Sequence, residues 1–177
     1  MPEQIRFEGE EYPTPPNSED EARSITCCFS GHRDIPQISG IYSLVRQEIL
    51  NAYNLGYRNF CAGGAIGFDT IAALNTLALR ETDYPDIKLQ LILPYKGQHL
   101  SWEKEKRDLY ETILEKADSV EYVSDHYGKW CLFERNRRLV KRSSYCICYL
   151  TQTKGGTLYT IDLAKKNGLS VVNLANI

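Results

Sequence analysis

Short apolar runs alternate along the chain with segments of helical periodicity, and this alternation restricts the fold more than any other feature. Apolar runs of strand length lie at 25–29, 58–62, 88–93, 119–123, 145–150 and 169–174. Helical spacing of apolar residues occupies 38–55, 68–80, 102–117, 129–142 and 157–167. Most of the strands are apolar on both faces, which is typical of parallel sheets covered by helices. We therefore predict an α/β fold of three layers, with a mostly parallel sheet of about six strands.

The first 23 residues differ in composition from the rest. They contain seven acidic residues and four prolines but only two arginines. Such a segment buries too little apolar surface to offset its ordering entropy. We expect residues 1–23 to form a mobile or surface-draped acidic tail, and residues 24–177 to form a single domain.

Charge and hydropathy restrict the partners of the chain. A net charge of −2 and a pI near 6.0 argue against nucleic acid as the main partner. No stretch approaches the roughly 20 apolar residues that span a bilayer, and the acidic N-terminus is unlike a signal peptide. We expect a cytoplasmic protein without a membrane partner, and homo-oligomerisation is left open.

The cysteines and histidines lack the spacing of a metal site. Six cysteines are present without a C-x-x-C motif, and five of them fall within predicted strands. We interpret them as small buried hydrophobes in a reducing compartment. The sequence therefore predicts no metal site and no cofactor.

In open parallel sheets, ligands bind beyond the carboxyl ends of the strands. The second predicted strand ends in a stretch with Gly63, Gly64 and Gly67, followed by Asp69 at a helix start. Glycines at such a junction let the backbone approach a phosphate, and the helix start favours an anion. The alternative is a glycine-rich turn in which Asp69 only caps the helix.

Two further junctions, after the first strand and before the last helix, resemble the glycine-containing stretch after the second strand. Ser30-Gly31-His32-Arg33 follows the first strand and offers donors suited to phosphate or carboxylate, although solvated turn residues would look the same. Gly155-Gly156-Thr157 opens the last helix, and Thr160 shares its inward face. Thr157 either caps this helix or contacts an anion.

The helix at 129–142 places a polar residue within its apolar stripe. On a helical wheel Asn136 lies near the centre of the stripe, and Arg135 and Arg137 lie at its margins. A buried amide needs hydrogen bonds, so Asn136 either ties down a loop or faces a ligand. The loop from Pro94 to Trp102 either flanks a base or only packs against its neighbours.

Together these motifs resemble the SLOG superfamily, whose Rossmann-like fold includes DNA-processing-protein-A and LONELY GUY proteins. The shared motifs are S-G-H-R, G-G-A-x-G-x-D, P-Y-x-G-Q with a following Trp, R-N, and G-G-T-x-x-T, in family order over residues 25–174. The YpsA-like branch is the most similar. The resemblance implies a Rossmann-like sheet that binds a nucleotide or a nucleotide-derived ligand at its strand ends.

The LONELY GUY branch hydrolyses nucleoside monophosphates with a glutamate that this chain lacks. Thr160 stands at that position, and a hydroxyl cannot serve as a carboxylate base. Hydrolysis would then depend on other residues, with Asp69, Arg33 and Arg135 as the catalytic candidates. YpsA-like relatives often have an Asp where this chain has Lys141, so no role of that carboxylate applies here.

We therefore predict a sensor or regulatory module that binds a nucleotide-like small molecule. One alternative is an N-glycosidase acting on nucleoside monophosphates. A second is single-stranded nucleic-acid binding, which requires an exposed, contiguous basic strip along 129–142. The predicted ligand-binding residues are Ser30, Gly31, His32, Arg33, Gly63, Gly64, Gly67, Asp69, Arg135, Asn136, Gly155, Gly156, Thr157 and Thr160.

Overall fold

Six strands form one parallel sheet in the computed structural model, which describes residues 18–176. The strands are β1 (Thr26–Gly31), β2 (Asn59–Ala62), β3 (Lys88–Tyr95), β4 (Ser119–Ser124), β5 (Tyr145–Tyr149) and β6 (Ser170–Asn173). Their order in the sheet is β4-β3-β2-β1-β5-β6, and every pairing is parallel. The α/β fold predicted from the alternating pattern is confirmed.

Helices cover both faces of the sheet. They are α1 (Ser18–Ser24), α2 (Ile38–Asn54), α3 (Phe68–Glu81), α4 (Lys104–Lys116), α5 (Lys129–Lys141) and α6 (Gly156–Lys166), and a 3₁₀ turn follows at Leu174–Asn176. Helices α2, α3 and α4 pack on one face, whereas α5 and α6 pack on the other. Within residues 18–176, no helix combines the length and the apolar character needed to cross a bilayer.

The central strand β1 contributes side chains to both cores because successive residues of a strand point to opposite faces. Phe29 packs in the larger core, where its ring stacks on Phe60 at a centroid distance of 6.1 Å. Cys28 belongs to the smaller core under α5 and α6, and in the sheet register it lies beside Cys61 on β2 and Cys146 on β5. All six cysteines are buried and form no disulfide, as expected of small core residues.

The direction of strand order reverses at β1. The chain moves outward from β1 to β4, and α5 then carries it back across the sheet to β5 on the other side of β1. In open parallel sheets such a reversal leaves a crevice outside the carboxyl ends of the two central strands. The crevice here lies between the ends of β1 and β5.

The last part of the predicted acidic tail is a short helix on the surface of the domain. Residues 18–24 form α1, and Arg23 donates hydrogen bonds at 3.0 Å from Nε to the Ser143 carbonyl and from Nη2 to the Asn167 carbonyl. These two bonds attach the short helix to the ends of α5 and α6. Residues 1–17 of the acidic tail, which was predicted over residues 1–23, lie outside the described residues.

Strand β3 continues through Pro94, where the sequence predicts an end. The Leu89 N–H donates to Asp118 Oδ2 and the Leu89 carbonyl accepts from the Asp118 N–H, so the backbone groups of Leu89 face β4. Successive residues of a strand direct their backbone groups to alternate sides, and those of Pro94 therefore face β2. Strand β2 has already ended at Ala62, opposite Leu91. The missing N–H of Pro94 therefore costs no ladder bond.

Gly31 ends β1 where the ring of Phe68 crosses it, and we predict that Gly31→Ala destabilises the fold. An added Cβ would lie 2.3 Å from Phe68 Cγ, and the overlap should lower the free energy of unfolding by about 1–3 kcal/mol. Gly40→Ala is the matched control, because the space around Gly40 in α2 is open and alanine favours a helix. Urea unfolding measures both variants, and equal stability of the two would contradict the prediction.

Candidate functional site

A cavity of about 470 Å³ occupies the crevice at the carboxyl ends of β1 and β5. Its wall is formed by the end of β1 and the loop after it, the start of α3, one side of α5 and the start of α6. The cationic side chains of Arg33, Lys129 and Arg135 line it together with the carboxylates of Asp34 and Asp69. The cavity therefore combines donors and acceptors on elements from both layers of helices.

Arg135 is the buried cation of this cavity, with only 8% of the residue exposed. Its Nη1 donates to the Gly63 carbonyl at the end of β2, and its Nε donates to Asn136 Oδ1 at 2.7 Å. Burial lowers the pKa of Arg135, and the nearby charge of Asp69 opposes that shift. An arginine stays protonated at neutral pH even so, so a positive charge is held beneath the cavity.

Asp69 is the buried carboxylate, 6% exposed, at the second position of α3. Its Oδ2 accepts a hydrogen bond of 3.2 Å from the Ala65 N–H in the glycine-containing loop. Burial raises the pKa of Asp69, while Arg135 acts in the opposite direction. The same residue thus stabilises the loop before α3 and lines the cavity.

His32 links the loops that follow β1 and β5. Its Nε2 accepts a hydrogen bond of 2.9 Å from the Thr151 N–H, and its ring meets Tyr149 edge-on at 6.2 Å. An imidazole nitrogen that accepts must be unprotonated, so this contact requires neutral His32. Burial lowers the pKa of His32, in agreement with that state.

Helix α6 begins at the cavity without a side-chain cap. Gly155 precedes it at φ 104°, a conformation that favours glycine, and among residues 18–176 no side chain accepts from the first N–H groups. Gly156 and Thr157 line the cavity. The Thr160 hydroxyl donates to the Gly156 carbonyl at 2.9 Å, within its own helix. The helix start consequently presents backbone donors and a positive dipole end to the cavity.

Most of the residues predicted for the site come together in this cavity. The predicted residues in its wall are Ser30, Gly31, His32, Arg33, Asp69, Arg135, Asn136, Gly156, Thr157 and Thr160. The remaining predicted residues, Gly63, Gly64, Gly67 and Gly155, are not part of it.

The three glycines after β2 are required for internal packing. A Cβ at Gly63 would lie 2.5 Å from Arg135 Nη1, one at Gly64 would lie 2.3 Å from Leu93 Cδ2, and one at Gly67 would lie 2.1 Å from the Arg33 carbonyl oxygen. These glycines do not line the cavity, where they were predicted to contact a phosphate. The close approach is to the protein's own side chains and backbone.

The helical wheel assigns Arg135 and Asn136 to the wrong environments. Arg135 is buried and Asn136 is only half-buried, whereas the wheel places Asn136 at the centre of the apolar stripe. A long guanidinium can be buried when a carbonyl and a carboxylate compensate it, and Gly63 and Asp69 supply these. Asn136 accepts from Arg135, so it orients the cation in this structure.

The structure adds wall residues that the sequence analysis missed, among them Asp34, Lys129, Phe133 and Gln152. Gln152 follows β5, so the rule about strand ends could have found it. Lys129 and Phe133 belong to α5, which begins after the edge strand β4 and reaches the cavity only because it crosses the sheet. No local sequence pattern predicts that α5 crosses the sheet.

The loop between β3 and α4 packs against its own neighbours. His99 stacks on Tyr110 with ring centroids 4.4 Å apart, and Trp102 meets Tyr110 edge-on at 5.3 Å. Gln98 Nε2 donates to the Gly64 carbonyl at 3.2 Å. Of the two alternatives for this loop, the structure therefore favours packing over the flanking of a base.

Some of the basic residues at the end of α5 are engaged in ion pairs. Arg138 pairs with Glu121 at 2.6 Å and with Glu134 at 3.1 Å, and Arg142 also pairs with Glu121. Lys141 is exposed and pairs with no carboxylate among residues 18–176, so this end of the helix keeps a net positive charge. Lys129, at the cavity, is exposed at the other end.

Comparison with known proteins identifies the family. The family model described as "YspA SLOG family" matches residues 26–171 of this chain. The chain belongs to the YpsA-type SLOG family. A UPF0398 protein of Halalkalibacterium halodurans is 30% identical over 76% of this chain and 71% of its own length. A UPF0398 protein of Shouchella clausii is 35% identical over 58% of this chain, but that match covers only 56% of the Shouchella protein.

Two solved structures share the SLOG fold with this chain. DNA processing protein A (DprA) of Streptococcus pneumoniae has a TM-score of 0.62 at 18% identity, over 86% of this chain and 50% of DprA. DNA processing protein A of Helicobacter pylori has a TM-score of 0.59 at 19% identity, over 88% of this chain and 66% of that protein. At these identities the likeness concerns the fold.

The Helicobacter protein corrects one expectation. It is described as having a unique single-stranded DNA binding mode. The expectation that nucleic acid is an unlikely partner rested on overall charge, and a protein with the same fold that binds single-stranded DNA contradicts it. Net charge and pI average over the whole surface, whereas binding depends on the charges around one site.

The His32 contact predicts a pH-dependent stability. The pKa of His32 is lowered in the folded chain, so the unfolded chain binds the proton more readily. The stabilisation is complete above the unfolded pKa of about 6.5 and is lost as the pH falls through the folded pKa. Urea unfolding at a series of pH values should show this decline, and it should be weaker in His32→Gln, whose amide oxygen accepts without titrating.

His126→Gln serves as the control, because His126 is exposed and lies outside the cavity. This variant should retain the wild-type decline. A decline of the same size in His32→Gln as in the wild type would show that the link to Thr151 is not its cause.

Proposed function

We propose that the cavity between β1 and β5 binds a nucleotide or a nucleotide-derived molecule through its phosphate, as a sensor or regulatory module. The observation that supports this most is the combination of a buried cation, Arg135, with the uncapped start of α6 in one cavity. Its volume of about 470 Å³ lies within the range of small-molecule sites, which is about 300–1,000 Å³.

Each wall of the cavity has a role in this proposal. The N–H groups of Gly156 and Thr157 contact the phosphate, as helix starts do in many anion sites. Arg33 and Lys129 neutralise the remaining charge. Asp69 accepts hydrogen bonds from sugar hydroxyls, and Arg135 orients the ligand from below.

Binding without hydrolysis is the reading that Thr160 supports. Its hydroxyl donates to the Gly156 carbonyl, and it offers no carboxylate at the position where LONELY GUY enzymes use a glutamate. An N-glycosidase would have to use Asp69, with Arg33 or Arg135. Burial raises the pKa of Asp69. Release of free base from a nucleoside monophosphate is the outcome that would favour the enzyme.

We predict that Lys129→Gln weakens nucleotide binding by about 10-fold, because a charge-assisted contact to phosphate is lost. Lys141→Gln is the matched control, since Lys141 is exposed at the other end of the same helix and away from this cavity. A thermal-shift screen with nucleoside monophosphates, cyclic nucleotides and ADP-ribose finds the ligand. Titration calorimetry then compares the two variants.

A ligand at 100 times its dissociation constant should stabilise the wild type by about 2.7 kcal/mol. Equal affinity of both variants for every hit would place the ligand elsewhere. Chromatography of the same incubations detects free base. Its appearance would show that the protein is a hydrolase and not only a binding module.

Single-stranded nucleic acid is the second candidate, because the site has aromatic side chains at its edge. Phe133 lines the cavity at 41% exposure, and Trp130 lies nearby on α5 at 59% exposure. Exposed aromatics beside cations stack with unpaired bases. The Helicobacter protein with the same fold is described as binding single-stranded DNA.

We predict that a fluorescent oligothymidylate binds with an affinity that falls as salt rises, since phosphate contacts release counterions. Trp130→Ala should weaken this binding and leave mononucleotide affinity unchanged, because Trp130 does not line the cavity. Anisotropy titrations at two salt concentrations measure both effects. Absence of binding at low salt would remove this candidate.

The cysteines support a cytoplasmic location for this function. All six are buried and unpaired, which fits a reducing compartment.

A further inference from the structure

Two exposed aromatic rings border the cavity between β1 and β5 where α5 begins. Phe133 lines the cavity, and Trp130 lies three residues earlier on the same helix. Side chains three residues apart on a helix have Cβ atoms about 5–6 Å from each other. The two rings are therefore neighbours on one face of α5, and we call them the aromatic edge of the cavity.

Both rings of the aromatic edge have a fixed position although both are exposed. A Cβ at Gly128 would lie 2.6 Å from Trp130 Nε1. The backbone of Gly128 is extended, a conformation that any residue adopts, so the missing Cβ makes room for the indole. Phe133 meets the ring of Tyr159 on α6 edge-on, with the centroids 5.5 Å apart. Exposed rings held in this way are suited to stacking a planar partner such as a nucleobase.

Arg135 has a donor directed to the cavity that no protein group accepts from. Its Nε donates to Asn136 and its Nη1 donates to Gly63, whereas Nη2 has no acceptor among residues 18–176. Arg135 lines the cavity and is only 8% exposed. A buried guanidinium nitrogen without a partner is costly unless an anion occupies the cavity beside it.

The charges of the cavity match a dianion better than a monoanion. Three cations, Arg33, Lys129 and Arg135, and two carboxylates, Asp34 and Asp69, line it. None of the five forms an ion pair with a described residue. One positive charge therefore remains, and the start of α6 adds about half a charge. A terminal phosphate carries about −1.5 to −2 at pH 7, whereas a phosphate within a strand carries about one negative charge.

We propose that this cavity binds the phosphorylated end of a single-stranded nucleic acid. The terminal phosphate occupies the cavity beside Arg135 and Lys129, and the first two bases stack on Phe133 and Trp130. The inference rests on the proposed function, because it places a nucleotide phosphate in the same cavity. It goes further by naming the ligand as a strand end, which uses the cavity and the aromatic edge together. A mononucleotide lacks the second base, and an unphosphorylated strand lacks the dianion.

Titration calorimetry of the full chain at one salt concentration tests the preference for a terminal phosphate. It compares three hexathymidylates, with a 5′-phosphate, with a 3′-phosphate and with hydroxyls at both ends. One of the phosphorylated strands should bind at least about 10-fold tighter than the hydroxyl strand. Lys129→Gln should reduce this preference at least about 3-fold, because a cation facing the dianion is lost. Lys141→Gln, at the other end of α5, should keep the full preference.

Trp130→Leu and Gly128→Ala test the aromatic edge. Both should weaken the binding of phosphorylated and hydroxyl strands alike, by at least about 5-fold, because one base loses its stacking partner. Gly128→Ala retains the indole but displaces it. Gly40→Ala is its matched control, since the space around Gly40 is open and Gly40 does not line the cavity. Circular dichroism of each variant separates loss of binding from loss of folding.

Three outcomes would overturn the inference. The first is equal affinity for the three strands. The second is a phosphorylated strand that binds no tighter than thymidine 5′-monophosphate. The third is a folded Trp130→Leu variant that binds every strand as tightly as the wild type does. If mononucleotides bind and the phosphorylated strands gain nothing, only the strand-end inference fails. If neither mononucleotides nor strands bind, the proposed function fails with it.

Discussion

The hydrogen bond from Arg135 to the Gly63 carbonyl is the contact on which the arrangement of the site depends. It joins α5 on one face of the sheet to the end of β2 and the loop that leads to α3. A buried guanidinium is costly unless its donors are satisfied and its charge is balanced. Gly63 and Asn136 accept from it, and Asp69 supplies the opposite charge. These contacts determine where the β2–α3 loop lies, and hence the shape of the cavity beside it.

The glycines after β2 follow from this arrangement. Only a residue without a Cβ leaves room for Arg135 at position 63 and for the Arg33 backbone at position 67. A pattern that suggests a phosphate loop thus has a packing function in this protein. In the proposal, the anion-binding element is instead the uncapped helix start at Gly156 and Thr157, because no side chain in the described part of the chain accepts from its first N–H groups.

The loop between β1 and α2 forms one wall of the cavity. Its position is held by the bond from the Phe68 N–H to the His32 carbonyl at 3.1 Å and by the contact of His32 with Thr151. A ligand in the cavity would therefore act on this short segment.

The sequence by itself determined the layer architecture and the approximate positions of the strands. Apolar alternation reflects burial on one or both faces of each element, and this property is local. Once the strands were located, the rule that ligands bind beyond the carboxyl ends of parallel strands was enough to select Ser30, His32, Gly156 and Thr157 for the site. The tertiary structure alone decided that α5 crosses the sheet to bring Lys129 and Phe133 to the cavity.

The tertiary structure also decided that Arg135, rather than Asn136, is the buried polar residue of α5. A helical wheel ranks positions by their angle about one isolated axis. It contains no information about which carbonyl or carboxylate lies opposite. The burial of a charge depends on those partners, and in this protein Gly63 and Asp69, far away in the sequence, supply them.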